Sequence, residues 1–160
     1  MDLTQRKREV RKKKIRDLAN FISIEYMEDF KLNLDKLVNS ELILIHYNHY
    51  ENYFDGLLIY EPKDFFIHLN IDSGNYKESR RSRFSIAHEL GHYYIPEHHE
   101  AIINGTFPCH PSKFKPKQRN YIEEEADIFA SCLLMPSLDF KKACYNKKFS
   151  FDLINSSFLL

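Results

Sequence analysis

Hydrophobic and polar positions along the chain predict an α+β fold. Apolar residues near helical spacing predict an amphipathic helix over about 8–28. Three short runs rich in Ile, Leu and aromatic residues follow at 41–47, 56–60 and 65–70, with turn-forming segments between them. Three successive strands predict a small antiparallel or mixed sheet, and an antiparallel meander is the simplest order.

The second half of the chain returns to a helical pattern. A helix is predicted over 82–94, where Pro96 restricts the preceding residue to extended backbone and ends the helix. Residues 97–119 are rich in proline and are expected to be largely irregular. A second helix is predicted over 120–135 and a weaker one over 137–146, so the sheet would pack on helices that follow it.

The size and composition of the chain suit a single domain. It has 160 residues, of which 43% are hydrophobic and 29% are charged. We expect one domain over 1–160, with a basic helical segment at 1–40, a catalytic core at 41–136 and a helical tail at 137–160. No apolar run is long enough to cross a membrane, and no apolar segment of a secretory signal follows the basic start, which predicts a cytoplasmic protein. The three isolated cysteines, Cys109, Cys132 and Cys144, are expected to be reduced thiols.

The charge of the chain is balanced overall but uneven along it. Lys and Arg together number 23, as do Asp and Glu, whereas a protein that depends on phosphate contacts is usually basic. Residues 1–16 are strongly basic all the same. A solvated helix face is the simplest interpretation, and direct nucleic-acid binding through this segment is the weaker alternative.

The sequence His-Glu-Leu-Gly-His at 88–92 carries the clearest chemistry. On a helix, residues four apart lie on one face, so His88 and His92 can bind one zinc ion. Glu89 is then placed to act as a general base toward a water at the metal. The alternative is a pair of surface histidines without a metal.

A zinc site of this kind needs a third ligand from elsewhere in the chain. Glu123 and Asp127 are again four residues apart on a predicted helix, an arrangement in which Glu123 binds zinc and Asp127 accepts a hydrogen bond from a ligand histidine. His98 is a competing ligand, six residues after His92. Sites with that spacing have glycine where this chain has Ile95, which disfavours His98.

Three stretches of the sequence strongly resemble the ImmA/IrrE family of metallo-endopeptidases, and the similarity spans about 56–136. They are Arg-Phe-Ser-Ile-Ala-His-Glu-Leu-Gly-His at 83–92, Glu-Glu-Glu-Ala-Asp-Ile-Phe-Ala at 123–130 and Leu-Leu-Met-Pro at 133–136. The resemblance implies a zincin-like fold with a thermolysin-type site. In it His88, His92 and Glu123 would bind one zinc ion per chain, Glu89 would be the catalytic base, and Asp127 would orient a ligand histidine.

The resemblance also implies a biological role. Members of the family are cytoplasmic proteins of bacteria and mobile elements that relieve transcriptional repression by cutting a helix-turn-helix repressor. We therefore expect a zinc endopeptidase that acts on such a repressor. The alternative is a non-catalytic anti-repressor of the same fold that acts by binding alone.

The sequence offers candidates for two features of substrate handling. A peptide substrate would pair with an edge of the sheet, for which residues 65–70 are the best candidate because they directly precede the active-site helix. The donor that stabilises the oxyanion is undetermined among His110, Tyr93 and Tyr94, with His110 weakly favoured.

Overall fold

Helices and strands follow one another in the α+β arrangement that the pattern predicts. The computed structural model describes residues 3–29, 31–61, 63–106 and 121–136. In chain order the elements are α1 (Leu3–Tyr26), β1 (Met27–Glu28), β2 (Lys31–Leu32), α2 (Leu34–Ser40), β3 (Leu44–Asn48), β4 (Gly56–Glu61), β5 (Asp64–Asn70), α3 (Arg80–Tyr94), α4 (Pro96–Ile103) and α5 (Tyr121–Leu134).

The main sheet is mixed, with strand order β3-β5-β4, so the expected antiparallel meander is wrong. β5 pairs in parallel with β3 and antiparallel with β4. The segment between β3 and β4 crosses the end of β5, where the buried side chain of Asn70 holds it. The Asn70 amide accepts from the backbone N–H of Tyr50 (3.1 Å) and donates to the carbonyls of Glu51 and Phe54 (both 2.7 Å).

This strand order also corrects the expected substrate edge. Residues 65–70 belong to the central strand, which has a neighbour on both sides and cannot accept a further strand. The strand that lies at the edge beside the active-site helix is β4. Leu58 of β4 and Ile67 and Leu69 of β5 are buried, as the period-two alternation of a strand requires.

The helices differ from the prediction at three places. α1 begins at Leu3, one to two turns earlier than expected. α2 was not predicted; Asn33 caps it by accepting from the N–H of Lys36 at 3.0 Å. α4 occupies part of the region expected to be irregular, because Pro96 suits the first turn of a helix. The helix predicted over 137–146 lies outside the described residues.

The core positions the two central helices at short range. Gly91 of α3 faces Ala126 of α5, and a Cβ atom added to Gly91 would lie 3.0 Å from the Cα atom of Ala126. This close approach brings the backbones of α3 and α5 together. On its other side α5 packs against α1, which buries Ile15 and Ala19. Within the described residues, no helix has both the length and the apolar character needed to cross a bilayer.

Candidate active site

Helix α3 carries His88, Glu89 and His92 on its buried side. The Ser79 side chain caps the helix by accepting from the N–H of Ser82 at 3.0 Å. Each of the three site residues is less than 10% exposed, at 7%, 3% and 3% respectively. Polar groups of this kind are costly to bury unless they have partners, so their environment indicates a function.

Glu123 of α5 meets both histidines. Its carboxylate oxygens lie 3.1 Å from Nε2 of His88 and 3.7 Å from Nε2 of His92. The two Nε2 atoms are themselves 3.2 Å apart. Among the described residues these three side chains form the one group whose ligand atoms, all within 4.8 Å of one another, could hold a metal ion. The structure therefore brings together the three residues that the sequence predicts as ligands.

The donor set fits a cation. Asp127 lies 2.9 Å from Nδ1 of His88 and, as a carboxylate, accepts the proton there, so the neutral imidazole has its lone pair on Nε2. This lone pair faces Nε2 of His92 and a carboxylate oxygen of Glu123. Three electron-rich atoms at this spacing repel one another unless a proton or a metal ion lies among them, and two imidazoles with a carboxylate are typical zinc ligands.

The pKa values show the same electrostatic bias toward positive charge. Burial opposes the charged form of His88, but its hydrogen bonds with Asp127 and Glu123 raise the pKa to about 10. Burial works against ionisation of Glu123 as well, yet its hydrogen bonds with His88 and His92 hold the pKa of this carboxyl well below its usual range. The cluster thus attracts a positive charge at the point where the ligand atoms converge.

Glu89 lies between α3 and the edge strand β4. The backbone N–H of Leu58 donates a hydrogen bond to its carboxylate, and burial raises the pKa of the carboxyl. Its Oε1 atom is buried without a hydrogen-bond partner among the described residues. Gly56 makes room for this oxygen, since an added Cβ would lie only 2.8 Å from it. A buried acceptor without a partner is the state expected of a base whose water or substrate completes the site.

His98 lies beside His92 but on the side away from His88 and Glu123. α3 ends at the extended residue Ile95 and α4 starts at once, which turns the chain sharply without a glycine. His98 is 4% exposed, and its Nδ1 atom lies 3.2 Å from Nδ1 of His92. Burial, with the neighbouring His92, lowers the pKa of His98 to about 4, so it is a neutral imidazole.

The tyrosine candidates for oxyanion stabilisation point elsewhere. The hydroxyl of Tyr93 donates to Glu41 at 3.0 Å, and that of Tyr94 donates to the same carboxylate at 2.7 Å. Burial and the bond to Glu41 raise the pKa of Tyr93 to about 12. Both hydroxyls are therefore engaged at the end of α2. The third candidate, His110, lies outside the described residues, as do Cys109 and Cys144.

Two residues near the site were not identified from the sequence. Gly56 contacts Glu89 across the gap between strand and helix, and no local pattern marks such a contact. Arg11 of α1 lies 3.0 Å from the carboxylate of Glu125, which in turn lies 3.2 Å from Nε2 of His98. Its only signal in the sequence was membership of a basic run, which does not distinguish it from its neighbours.

Two facing helices carry the features of a metallopeptidase-like domain. Helix α3 provides a histidine pair with an adjacent glutamate, and helix α5 provides the carboxylates that face them. Residues 60–150 match the Peptidase_M78 family, described as the IrrE N-terminal-like domain, and the chain belongs to this family. This match confirms the resemblance on which the expected site rests. No curated protein matches the chain.

Proposed function

We propose that this protein is a zinc-dependent endopeptidase whose substrate is a helix-turn-helix repressor. The protein class follows from the family, and the geometry of the site supports the catalytic part of the proposal. The substrate is inferred from the resemblance to the ImmA/IrrE family.

One observation carries the catalytic proposal: a buried glutamate with an unsatisfied oxygen stands next to a convergent ligand set. A metal-binding module that acts without chemistry has no need of a buried carboxylate in this place, because its burial costs free energy. Glu89 has an Oε1 atom with no partner in the described residues, and its neighbours His88 and His92 turn their Nε2 atoms to a common point. This is the arrangement of a general base beside a metal centre.

The edge of β4 offers a place for the substrate backbone. β4 is the last strand of the sheet order, and a peptide in extended form can add to such an edge through main-chain hydrogen bonds. Glu89 contacts Gly56 and Leu58 of this strand. A peptide paired with β4 would therefore lie next to the Glu89 carboxylate and close to His88, His92 and Glu123.

Each residue then has a defined task. His88, His92 and Glu123 would hold the ion, and Asp127 keeps the His88 proton on Nδ1. Zinc in such a site supplies Lewis acidity, which polarises a carbonyl and acidifies water at neutral pH. Glu89 takes a proton from the attacking water and delivers it to the leaving amine. Its pKa, raised by burial, makes it a better base than an exposed glutamate.

The decisive experiment compares wild-type protein with Glu89→Gln. The amide is nearly isosteric but cannot accept the proton, so we expect zinc to remain bound and cleavage of the candidate repressor to fall by about 10²–10⁴. Repressor capture should survive. If neither protein cuts the repressor and both relieve repression equally, the endopeptidase is refuted in favour of the non-catalytic anti-repressor.

The metal site is tested separately by alanine variants. Zinc content should be one ion per chain in the wild type and should be lost in Glu123→Ala. If His98→Ala empties the site and Glu123→Ala leaves it full, the assignment of Glu123 as ligand is wrong.

A further inference from the structure

A network of four side chains joins α1 to the ligand histidine of α3. We call it the Arg11 network, and it consists of Arg11, Glu97, Glu125 and His98. The guanidinium of Arg11 contacts Glu125 at 3.1 and 3.0 Å and Glu97 at 2.6 and 2.8 Å. Glu125 in turn lies 3.2 Å from Nε2 of His98. Three helices therefore meet at one guanidinium.

The ring nitrogens of the two histidines continue this network to the metal ligands. If Nε2 of His92 is to bind a metal, its proton must be on Nδ1. That Nδ1–H can only donate to a neighbour, and Nδ1 of His98 lies 3.2 Å away. Acceptance there places the proton of His98 on Nε2, where it faces the carboxylate of Glu125. One set of tautomers thus suits the contacts from His92 through His98 and Glu125 to Arg11.

We propose that His98 is the positioning residue of the ligand His92, and that Arg11 fixes it in this role by clamping Glu125. The inference rests on the proposed metal site. In this proposal His98 does for His92 what Asp127 does for His88. Each is a hydrogen-bond acceptor that sets the tautomer and the ring orientation of a ligand histidine. It also makes α1, which precedes the matched residues 60–150, a part of the metal centre.

The geometry of Arg11 suits this task better than that of its basic neighbours. A guanidinium presents a planar fork and can bind two carboxylates in fixed orientations, which an ammonium group cannot do. Lys12, the next residue, also pairs with α5 through Glu124 at 2.6 Å. Within the described part of the chain no hydrogen bond or ion pair links Glu124 to a residue of the site, so Lys12 is a control for Arg11.

The test measures zinc affinity by competition with a chromogenic chelator, using Zn²⁺ alone as the probe. We expect His98→Leu to weaken zinc binding by about 10- to 100-fold, because His92 loses its acceptor. His98→Asn, whose side-chain oxygen can replace Nδ1 as acceptor, should recover part of the affinity. His99→Leu is the control on the same helix, since His99 bonds to the carbonyl of Tyr93, and it should bind zinc as the wild type does.

The contribution of α1 is measured in the same assay. Arg11→Met should weaken zinc binding several-fold, whereas Lys12→Met should not, although each removes an ion pair between α1 and α5. Urea unfolding of the metal-free proteins serves as the measure of purely structural damage. In the His98→Leu background, Arg11→Met should have no further effect on zinc affinity, because its effect passes through His98.

The outcomes separate this inference from the proposed function. If the wild type binds zinc and His98→Leu binds it equally well, or if Arg11→Met and Lys12→Met have equal affinities, the Arg11 network has no role at the metal and only this inference is refuted. If the wild type itself binds no zinc, the proposed function is refuted and this inference with it.

Discussion

The contact between Gly56 and Glu89 allows a test of where the catalytic base must stand. In Gly56→Ala the new Cβ would lie 2.8 Å from Oε1 of Glu89 and 3.5 Å from its Cγ and Cδ atoms, whereas ordinary contacts begin at 3.4 Å. The strand backbone is held by β5, so the flexible carboxylate must move by about 0.6 Å. A single methyl group is therefore expected to displace the base, since the three heavy atoms nearest to it all belong to Glu89.

The expected loss of cleavage rate follows from the sensitivity of proton transfer to the position of the base. A displacement of this order in a catalytic group costs about 10- to 100-fold in rate. Stability should not fall, because Gly56 has no positive φ and alanine restricts the unfolded chain, an effect of about 0.4–1 kcal/mol in favour of folding. The expected result is a slow enzyme that is at least as stable as the wild type.

The assay is single-turnover cleavage of the repressor by zinc-loaded protein, with zinc affinity and urea unfolding measured on the same samples. The double variant Gly56→Ala, Glu89→Asp provides the internal control. Aspartate is one methylene shorter and leaves space for the new methyl, so the added methyl should cost less in that background than in the wild type. If Gly56→Ala cleaves at the wild-type rate while Glu89→Gln is inactive, the close contact does not constrain the base and the reasoning is refuted.

Three further predictions concern the metal site and the helices around it. Asp127→Ala should weaken zinc binding about tenfold, the lower end of the usual effect of a residue that orients a metal ligand, because the Asp127 side chain is 53% exposed and water can replace it. Unchanged zinc affinity in the chelator assay would contradict the role of Asp127 in orienting His88. Ala126→Val adds bulk against the backbone of Gly91 and should destabilise the metal-free protein by about 1–3 kcal/mol in urea unfolding, with weaker zinc binding; equal stability would show that α3 and α5 can separate freely. The pKa of His88 is raised from 6.5 to about 10, so the contribution of His88 to the stability of the metal-free protein should be fully present below pH 6.5 and be lost as the pH rises to about 10. Zinc affinity should rise over the same interval, because the metal then competes with fewer protons; zinc affinity that falls over this interval would refute the prediction.

The two pairs of candidate site residues could be predicted from the sequence because the members of each pair are near in the chain. His88 and His92 are four residues apart, and so are Glu123 and Asp127; on a helix this spacing alone places each pair on one face. The family resemblance then related the two helices. The structure brings the nitrogens and carboxylates within hydrogen-bond distance, as expected.

The strand order could not be predicted in the same way. β3, β4 and β5 have similar runs of apolar residues, and each pairing of them satisfies the same alternation. A buried amide accompanies this order: Asn70 holds the segment after β3 across the end of β5, the central strand. Because hydrogen bonds of this kind join residues 16 to 20 positions apart, the pattern around any one strand does not contain them.

The sequence by itself thus determined which groups lie together within single helices: two imidazoles with a glutamate beside them, and a carboxylate pair at matching spacing. Only the tertiary structure decided which side chains from other parts of the chain contact these groups. It placed His98 against Nδ1 of His92 rather than beside the Nε2 atoms that converge with Glu123. It also turned Arg11, one of many basic residues at the start of the chain, inward to Glu125. The physical reason is that a helix fixes the relative positions of its own side chains through its backbone, whereas contacts between helices depend on how the whole core packs.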